Sequence, residues 1–212
     1  MERPYTLPRI ASLDKPLRLA VLISGGGSGL EALLNHQEIP RLHATKLIIS
    51  DNSNAKGLDY GVKKNINTKA IPLPEIPDKI EQRILHESLV HAELIKSEIE
   101  LIVLSGYMRI LTHSFVTKWK GRIINIHPSL LPNFPGANAH RDAINAGVKL
   151  SGCTVHLVDS GVDTGRILEQ IEVEVSPGET IQTLQNKIKK IEHKLYPRVI
   201  DSLSEGLYHS KS

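Results

Sequence analysis

The chain of 212 residues holds a single cysteine, Cys153, so no internal disulfide framework supports it, as fits a reducing compartment. The surrounding GCTVHLV reads as a strand, and there Cys153 is read as a small buried hydrophobe, not a nucleophile. Aromatic residues make up only 4% of the chain, which makes the core aliphatic. No dense Lys/Arg block occurs, only pairs such as Lys63-Lys64 and Lys189-Lys190, and the formal net charge is +3. A nucleic-acid surface is therefore not expected, whereas small anionic ligands remain open. No run of ~18 apolar residues is present, so no transmembrane helix is expected. Residues 1–16 carry Pro4, Pro8 and Pro16 without an apolar stretch, so they do not read as a secretory signal. They are expected to form an N-terminal arm on a cytoplasmic protein. The scattered histidines and lone cysteine offer no zinc spacing, so no metal is expected, and no G-x-S-x-G elbow occurs.

What is present alternates between strand and helix patterns. Leu17 to Ile23 (LRLAVLI) is a continuous apolar run with the look of a buried parallel strand. SGGGSG, Ser24 to Gly29, follows, and Leu30, Leu33 and Leu34 then fall at helical spacing. Strand, glycine loop and helix form a phosphate-binding layout, because glycines admit an anion to the backbone and the helix N-terminus offers free N–H groups. The pattern is neither G-x-G-x-x-G nor a Walker loop, and a tight turn packing helix on sheet is the alternative. Thr45 to Ser50 reads as a second strand ending in Asp51-Asn52, suited to a ribose contact or to loop and capping chemistry. A helix over 55–64 and a strand over 67–73 follow. Residues 78–96 are expected to form a helix with Leu85, Leu89, Ala92 and Ile95 on one face and Arg83 near its start. A fourth strand from Glu100 runs into Ser105-Gly106 and the apolar loop Met108 to Leu111, either core or the wall of a pocket for a flat ligand.

Up to this point the alternation argues a mostly parallel sheet with right-handed crossovers. Residues 139–147 then read as a short helix, and strands over 153–158 and 167–175 flank the turn-rich DSGVDTG, so they should pair antiparallel. Residues 179–195 form an amphipathic helix with Ile181, Leu184, Ile188, Ile191 and Leu195 on one stripe, and Pro197 is expected to kink or break it. No repeat, low-complexity tract or linker interrupts the chain, so one domain over 17–212 is expected.

The chain is organised around Gly121 to Gly136, GRIINIHPSLLPNFPG. An apolar run ends on Asn125 and His127, and Pro128 and Pro132 stop it, which places an amide and an imidazole at a strand's carboxyl end. Asp163 is the third polar residue in an unexpected place, in the loop of the late hairpin. A carboxylate orients an imidazole and favours its charged form. A side-chain amide beside them can donate to a developing oxyanion. The trio suits attack on a carbonyl-type carbon with no Ser or Cys nucleophile.

NIHPSLLP, with SGYMRIL upstream and VDTG downstream, resembles the glycinamide ribonucleotide formyltransferase family over about Leu17 to Val199. The resemblance implies a mostly parallel, Rossmann-like α/β sheet flanked by helices, with an antiparallel hairpin in the C-terminal half and a long C-terminal helix. Residues 17–111 would then be the phosphate- and ribonucleotide-binding half, and 112–212 the folate-binding and catalytic half. It implies Asn125, His127 and Asp163 as the catalytic trio, and Gly27, Ser28 and Gly29 as the phosphate loop. Lys189 and Glu192, one helical turn apart, match the segment contacting the ribonucleotide, with Glu192 attracting its amine. Arg83, Met108, Arg109, Ile110, Leu111, Asn125 and the loop Asp159, Ser160, Gly161, Val162, Asp163 match the pocket for 10-formyltetrahydrofolate. The implied partners are these two small molecules, with no metal, nucleic acid or membrane, in a monomer or homodimer. Two departures stand out: Ser28-Gly29 replaces the family's usual Ser-Asn, and DTG replaces DGG or DAG. Methionyl-tRNA formyltransferases and formyltetrahydrofolate hydrolases share the N-I-H core. The former resemble a longer protein with a tRNA-gripping barrel, and the latter differ after the histidine. A non-catalytic nucleotide-binding module on the same sheet is the remote alternative.

Overall fold

The structure, a computed structural model, describes residues 5–209; residues 1–4 of the arm and 210–212 lie outside the described residues. Seven strands form one sheet: β1 (Leu17–Ile23), β2 (His43–Ser50), β3 (Asn67–Ala70), β4 (Leu101–Leu104), β5 (Ile123–His127), β6 (Leu150–Leu157) and β7 (Ile167–Glu174). Their order is β3-β2-β1-β4-β5-β6-β7, parallel through β5, with β6 and β7 antiparallel. The chain reverses direction across the sheet between β1 and β4, so the crevice above those two strand ends is the switch point where open α/β sheets bind ligands.

The apolar run of β1 is nearly all buried because both faces of the sheet are covered. Leu19, Val21 and Ile23 face α1 (Ser28–His36), α5 (Ala139–Asn145) and α6 (Ile181–Ser204). Ala20 and Leu22 face α3 (Lys79–Lys96) and α4 (His113–Lys118) on the other side. The period-2 alternation of a strand sorts adjacent residues into these two cores. A sixth helix, α2 (Leu58–Lys63), joins β2 to β3. Among the described residues no helix is long and apolar enough to cross a membrane.

Two expectations are corrected. In α3 the buried residues are His86, Glu87, Val90 and Leu94, whereas Leu85, Leu89 and Ile95 are 43%, 45% and 58% exposed. The helix is rolled because its two polar residues find buried partners. His86 Nε2 donates to Ile71 O (2.9 Å), and the Glu87 carboxylate accepts from the Thr112 N–H (2.7 Å) and hydroxyl. Counting apolar residues alone selects the wrong face. The second correction is α6, which runs through Pro197 unbroken to Ser204. Losing one helical hydrogen bond to proline costs about 3 kcal/mol. Beyond it Val199, Ile200 and Leu203 are fully buried, at roughly 1.5–3 kcal/mol each, so packing outweighs the break. The hydroxyl of Tyr196 also ties this helix to the sheet, 3.0 Å from Leu104 O and 2.9 Å from Ile124 O.

The described part of the arm docks at the N-terminal edge of the strands. Arg9 grips Glu100 with two hydrogen bonds (2.6 and 3.0 Å), Ala11 N donates to Ser204 O, and His209 Nε2 donates to Pro8 O.

Candidate active site

Strand β5 lies between parallel β4 and antiparallel β6, and that register fixes what faces its polar end. Asn125 sits opposite His156 and His127 opposite Thr154. The loop between β6 and β7 then brings in Asp163. His127 Nδ1 lies 3.3 Å from Asp163 Oδ2, and His127 Nε2 donates to Phe134 O at 2.8 Å. Both ring nitrogens therefore face oxygen acceptors. Asn125 Nδ2 is 3.3 Å from His156 Nε2 and 3.5 Å from Asp163 Oδ1. These long contacts leave the amide able to donate elsewhere. His156 Nδ1 is 3.0 Å from Leu157 O, and its Nε2 faces Asp163 Oδ1 at 3.5 Å as well as the Asn125 amide.

Burial alone would push the Asp163 carboxyl up, but hydrogen bonds from His156 and the Gly136 N–H (2.8 Å) and the field of His127 bring it down to about 2. Asp163 is thus ionised at neutral pH. Its φ of 54° lies in the left-handed region, which Asp and Asn tolerate better than most side chains. Phe134 (φ 53°) shares that strained conformation at the carbonyl that holds His127. Gly136, the last residue of the central motif, has φ 85° with open space where a Cβ would stand, so its conformation requires glycine.

The glycine loop caps α1 with Gly27, which is held at φ 70° and supplies no side-chain cap. A Cβ on Gly27 would strike Gly57 Cα at 2.7 Å, so the loop is closely braced by the start of α2. Ser24 Oγ accepts from Met108 N (2.9 Å), which joins the glycine loop directly to the apolar loop. In that loop Met108 and Ile110 are 69% and 64% exposed, so it is a surface wall and not core. Arg109 Nε donates to Asp51 Oδ2 at 2.7 Å, which gives Asp51 a positioning task in place of a simple turn. His113 Nδ1 meets Ser160 Oγ (2.7 Å), and Asp159 accepts from Gly161 N and from Thr164 Oγ1 (2.8 Å), so the threonine of DTG braces the loop carrying Asp163. Val162 is half exposed at its tip. Arg83 is exposed on α3, and among the described residues no hydrogen bond or ion pair joins it to the cluster.

The formyl transferase family model matches residues 17–200. Phosphoribosylglycinamide formyltransferase of Bacillus subtilis (strain 168) is 39% identical over 187 residues, 88% of this chain and 94% of that protein. The chain belongs to the phosphoribosylglycinamide formyltransferase family. The crystal structure of the Brucella melitensis member superimposes with a TM-score of 0.83 at 40% identity, covering 90% of this chain and 96% of that one. The trifunctional purine biosynthetic protein adenosine-3 of Gallus gallus is 41% identical over 191 residues, 90% of this chain but 19% of that protein. This chain thus spans about a fifth of the length of such multidomain relatives.

In this member of the phosphoribosylglycinamide formyltransferase family, α6 packs beside α1 and carries Lys189, exposed, and Glu192, partly buried. Desolvation pushes the Glu192 carboxyl up to about 7, only partly offset by Lys189. The neighbouring His193 feels both Lys189 and Glu31, which places this turn of α6 near the first turn of α1. A carboxyl raised above its unfolded value of 4.5 destabilises the fold as pH climbs from about 4.5 to 7, because the unfolded chain ionises first. Glu192→Gln is therefore expected to be more stable than the parent by about 1–3 kcal/mol at pH 8 and by little at pH 5. Thermal melts at the two pH values check this, and a variant no more stable at pH 8 than at pH 5 contradicts it.

Two site histidines were not singled out in the sequence. His156 faces Asn125 across the β5–β6 ladder, and His140 on α5 lies close enough to His127 for the two charges to oppose. A period-2 reading of β6 would have put His156 on the face of Thr154, but its partner becomes visible only once β5 and β6 are paired. A third group, His36, His43 and Asp201, meets at the other end of the sheet, where His36 Nε2 and His43 Nε2 lie 2.7 and 2.9 Å from the carboxylate. Gln37 fixes the tautomer. Its Oε1 accepts from Thr45 N, so its Nε2 donates to His43 Nδ1 (2.7 Å), and the His43 proton resides on Nε2, the nitrogen a metal would need. Burial lowers His43 to about 4, and Arg41 stands 3.8 Å from the same carboxylate. The donor set fits a hydrogen-bonded bridge between α1, β2 and α6 better than a cation site.

Proposed function

We propose that this chain transfers the formyl group of 10-formyltetrahydrofolate to the amine of 5-phosphoribosylglycinamide, a step of de novo purine (IMP) biosynthesis. The observation that carries the proposal is the convergence of Asn125, His127 and an ionised Asp163 at the end of β5, beside the crevice between β1 and β4. The glycine loop and α1 would hold the phosphate, and Glu192, when ionised, would pair with the substrate ammonium. The half-exposed apolar wall Met108 to Leu111, with Arg109 fixed by Asp51, suits a flat heteroaromatic donor, and the loop from Asp159 to Asp163 would close its far side. Arg83 would reach the donor only at its solvent-facing end.

In this mechanism the amine nitrogen attacks the formyl carbon, the new C–N bond forms, and the carbonyl electron pair moves onto oxygen. Asn125 Nδ2 would donate to that oxyanion, and protonated His127 would donate from Nδ1, whose 3.3 Å contact with Asp163 is long enough to be shared. Asp163 orients His127 and passes the proton lost by the amine, through water, toward the departing folate nitrogen as its C–N bond breaks. No residue is acylated. The test is a formyl-transfer assay with the purified protein, 5-phosphoribosylglycinamide and 10-formyltetrahydrofolate. Folate consumption is expected to require the ribonucleotide and to yield its formylated product in equal amount. Formate release that ignores added ribonucleotide would instead mark a hydrolase.

A further inference from the structure

Gly29 stands where the family's usual phosphate loop ends in asparagine, and on sequence alone this reads as a lost polar contact. The structure shows what fills the space. A Cβ on Gly29 would lie 2.6 Å from Ser105 Oγ, closer than a carbon and a hydroxyl can approach. Ser105 follows β4 at the switch-point crevice, and its backbone N–H donates to Leu22 O at 2.9 Å, which pins the residue against β1. The residue is only 9% exposed, and its hydroxyl has no hydrogen-bond partner among the described residues. This unpartnered hydroxyl is not one of the fully buried ones, so it opens onto the crevice, where it can donate to an external acceptor.

That hydroxyl lies against the first turn of α1, where the N–H groups of Ser28, Gly29 and Leu30 have no intrahelical acceptor. The Glu31 carboxylate of the same turn is taken up by the Tyr60 hydroxyl. We propose that Ser105 Oγ is a further donor to the phosphate monoester of the ribonucleotide, and that Gly29 and Ser105 form a size-coupled pair. Glycine at 29 is then the clearance that lets a hydroxyl from β4 enter the loop. A side chain at 29 and a hydroxyl at 105 exclude one another, and either one can complete the loop. This rests on reading the glycine loop as the phosphate site.

The test compares KM for 5-phosphoribosylglycinamide with that for its dephosphorylated riboside in four proteins: parent, Ser105→Ala, Gly29→Asn, and Gly29→Asn with Ser105→Ala. Loss of a hydrogen bond to a charged group is expected to raise KM for the ribonucleotide about tenfold in Ser105→Ala. KM for the riboside and for the formyl donor should stay within twofold. Gly29→Asn alone should raise KM for the ribonucleotide by a similar factor, since the new side chain displaces the hydroxyl. The double variant should recover to within about threefold of the parent. A merely structural Ser105 would shift both substrates together, and this overturns the proposal, as does a double variant no better than the worse single one. If the parent itself does not distinguish ribonucleotide from riboside, the phosphate-loop reading falls and the pair with it. If the parent discriminates and Ser105→Ala discriminates equally well, the role of Ser105 alone is refuted.

Discussion

Replacing His127 with Asn is expected to lower kcat for formyl transfer by at least about 10³-fold at saturating substrates. The loss has two sources that act on the same atoms. In the proposed mechanism the imidazolium N–H would donate to the oxyanion, and removing such a donor costs roughly 10²–10³. The proton transfer through Asp163 would lose the imidazolium that faces that carboxylate, in a task that contributes roughly 10²–10⁴, and the amide of Asn cannot replace it. Asn is the informative substitution because it retains a donor for Phe134 O, the contact that seats the ring at 2.8 Å. His127 is only 4% exposed, so a larger or purely apolar replacement would confound chemistry with packing. Asp163 keeps the Gly136 N–H and His156 as partners, so the folded state should lose no more than about 1–3 kcal/mol. A kcat reduced less than tenfold, in a variant whose melting confirms folding, would remove His127 from the chemistry.

The contrast between β5 and α3 explains which parts of this protein are legible in sequence. Leu17–Ile23, Arg18 apart, and the residues around Ile123 and Ile124 announce buried strands because a parallel sheet covered on both faces favours apolar side chains. The polar end of β5 is legible for the converse reason: an amide and an imidazole closing such a strand have no core role. Helix α3 defeats the same logic, since His86 and Glu87 are buried against backbone groups of residues distant in sequence, Ile71 and Thr112. His156 is hidden similarly, because its relation to Asn125 depends on an antiparallel register that brings together residues 31 positions apart. Gly29 is the sharpest case. Its sequence registers an absent side chain, whereas the hydroxyl occupying that space belongs to Ser105, a strand away in the fold.

Asp163→Asn is expected to cost about 10²–10⁴-fold in kcat, with a stability signature that separates charge from geometry. The residue sits at φ 54°, a conformation Asn adopts as readily as Asp, so the backbone of the hairpin loop has no reason to move. An amide oxygen can still accept from the Gly136 N–H, and the shape of the site persists. What disappears is the negative charge facing His127 Nδ1 at 3.3 Å, and with it the orientation and charge balance of the imidazolium. Because the folded carboxyl is depressed to about 2 from an ordinary 3.8, its ionised form stabilises the fold above pH 4, by about 2 kcal/mol. That contribution is lost as pH falls through 2, where both states are protonated. The parent should therefore be more stable than Asp163→Asn at pH 7, with the gap narrowing between pH 4 and pH 2. The catalytic deficit, in contrast, should widen as pH rises from 5 to 8, since an imidazole without its facing carboxylate gives up its proton at lower pH than in the parent. A deficit that is the same at pH 5 and pH 8 would mean that a different group supplies the charge His127 needs. Among the described residues Asp163 is the one carboxylate within salt-bridge distance of His127, so the charge balance of the imidazole turns on it.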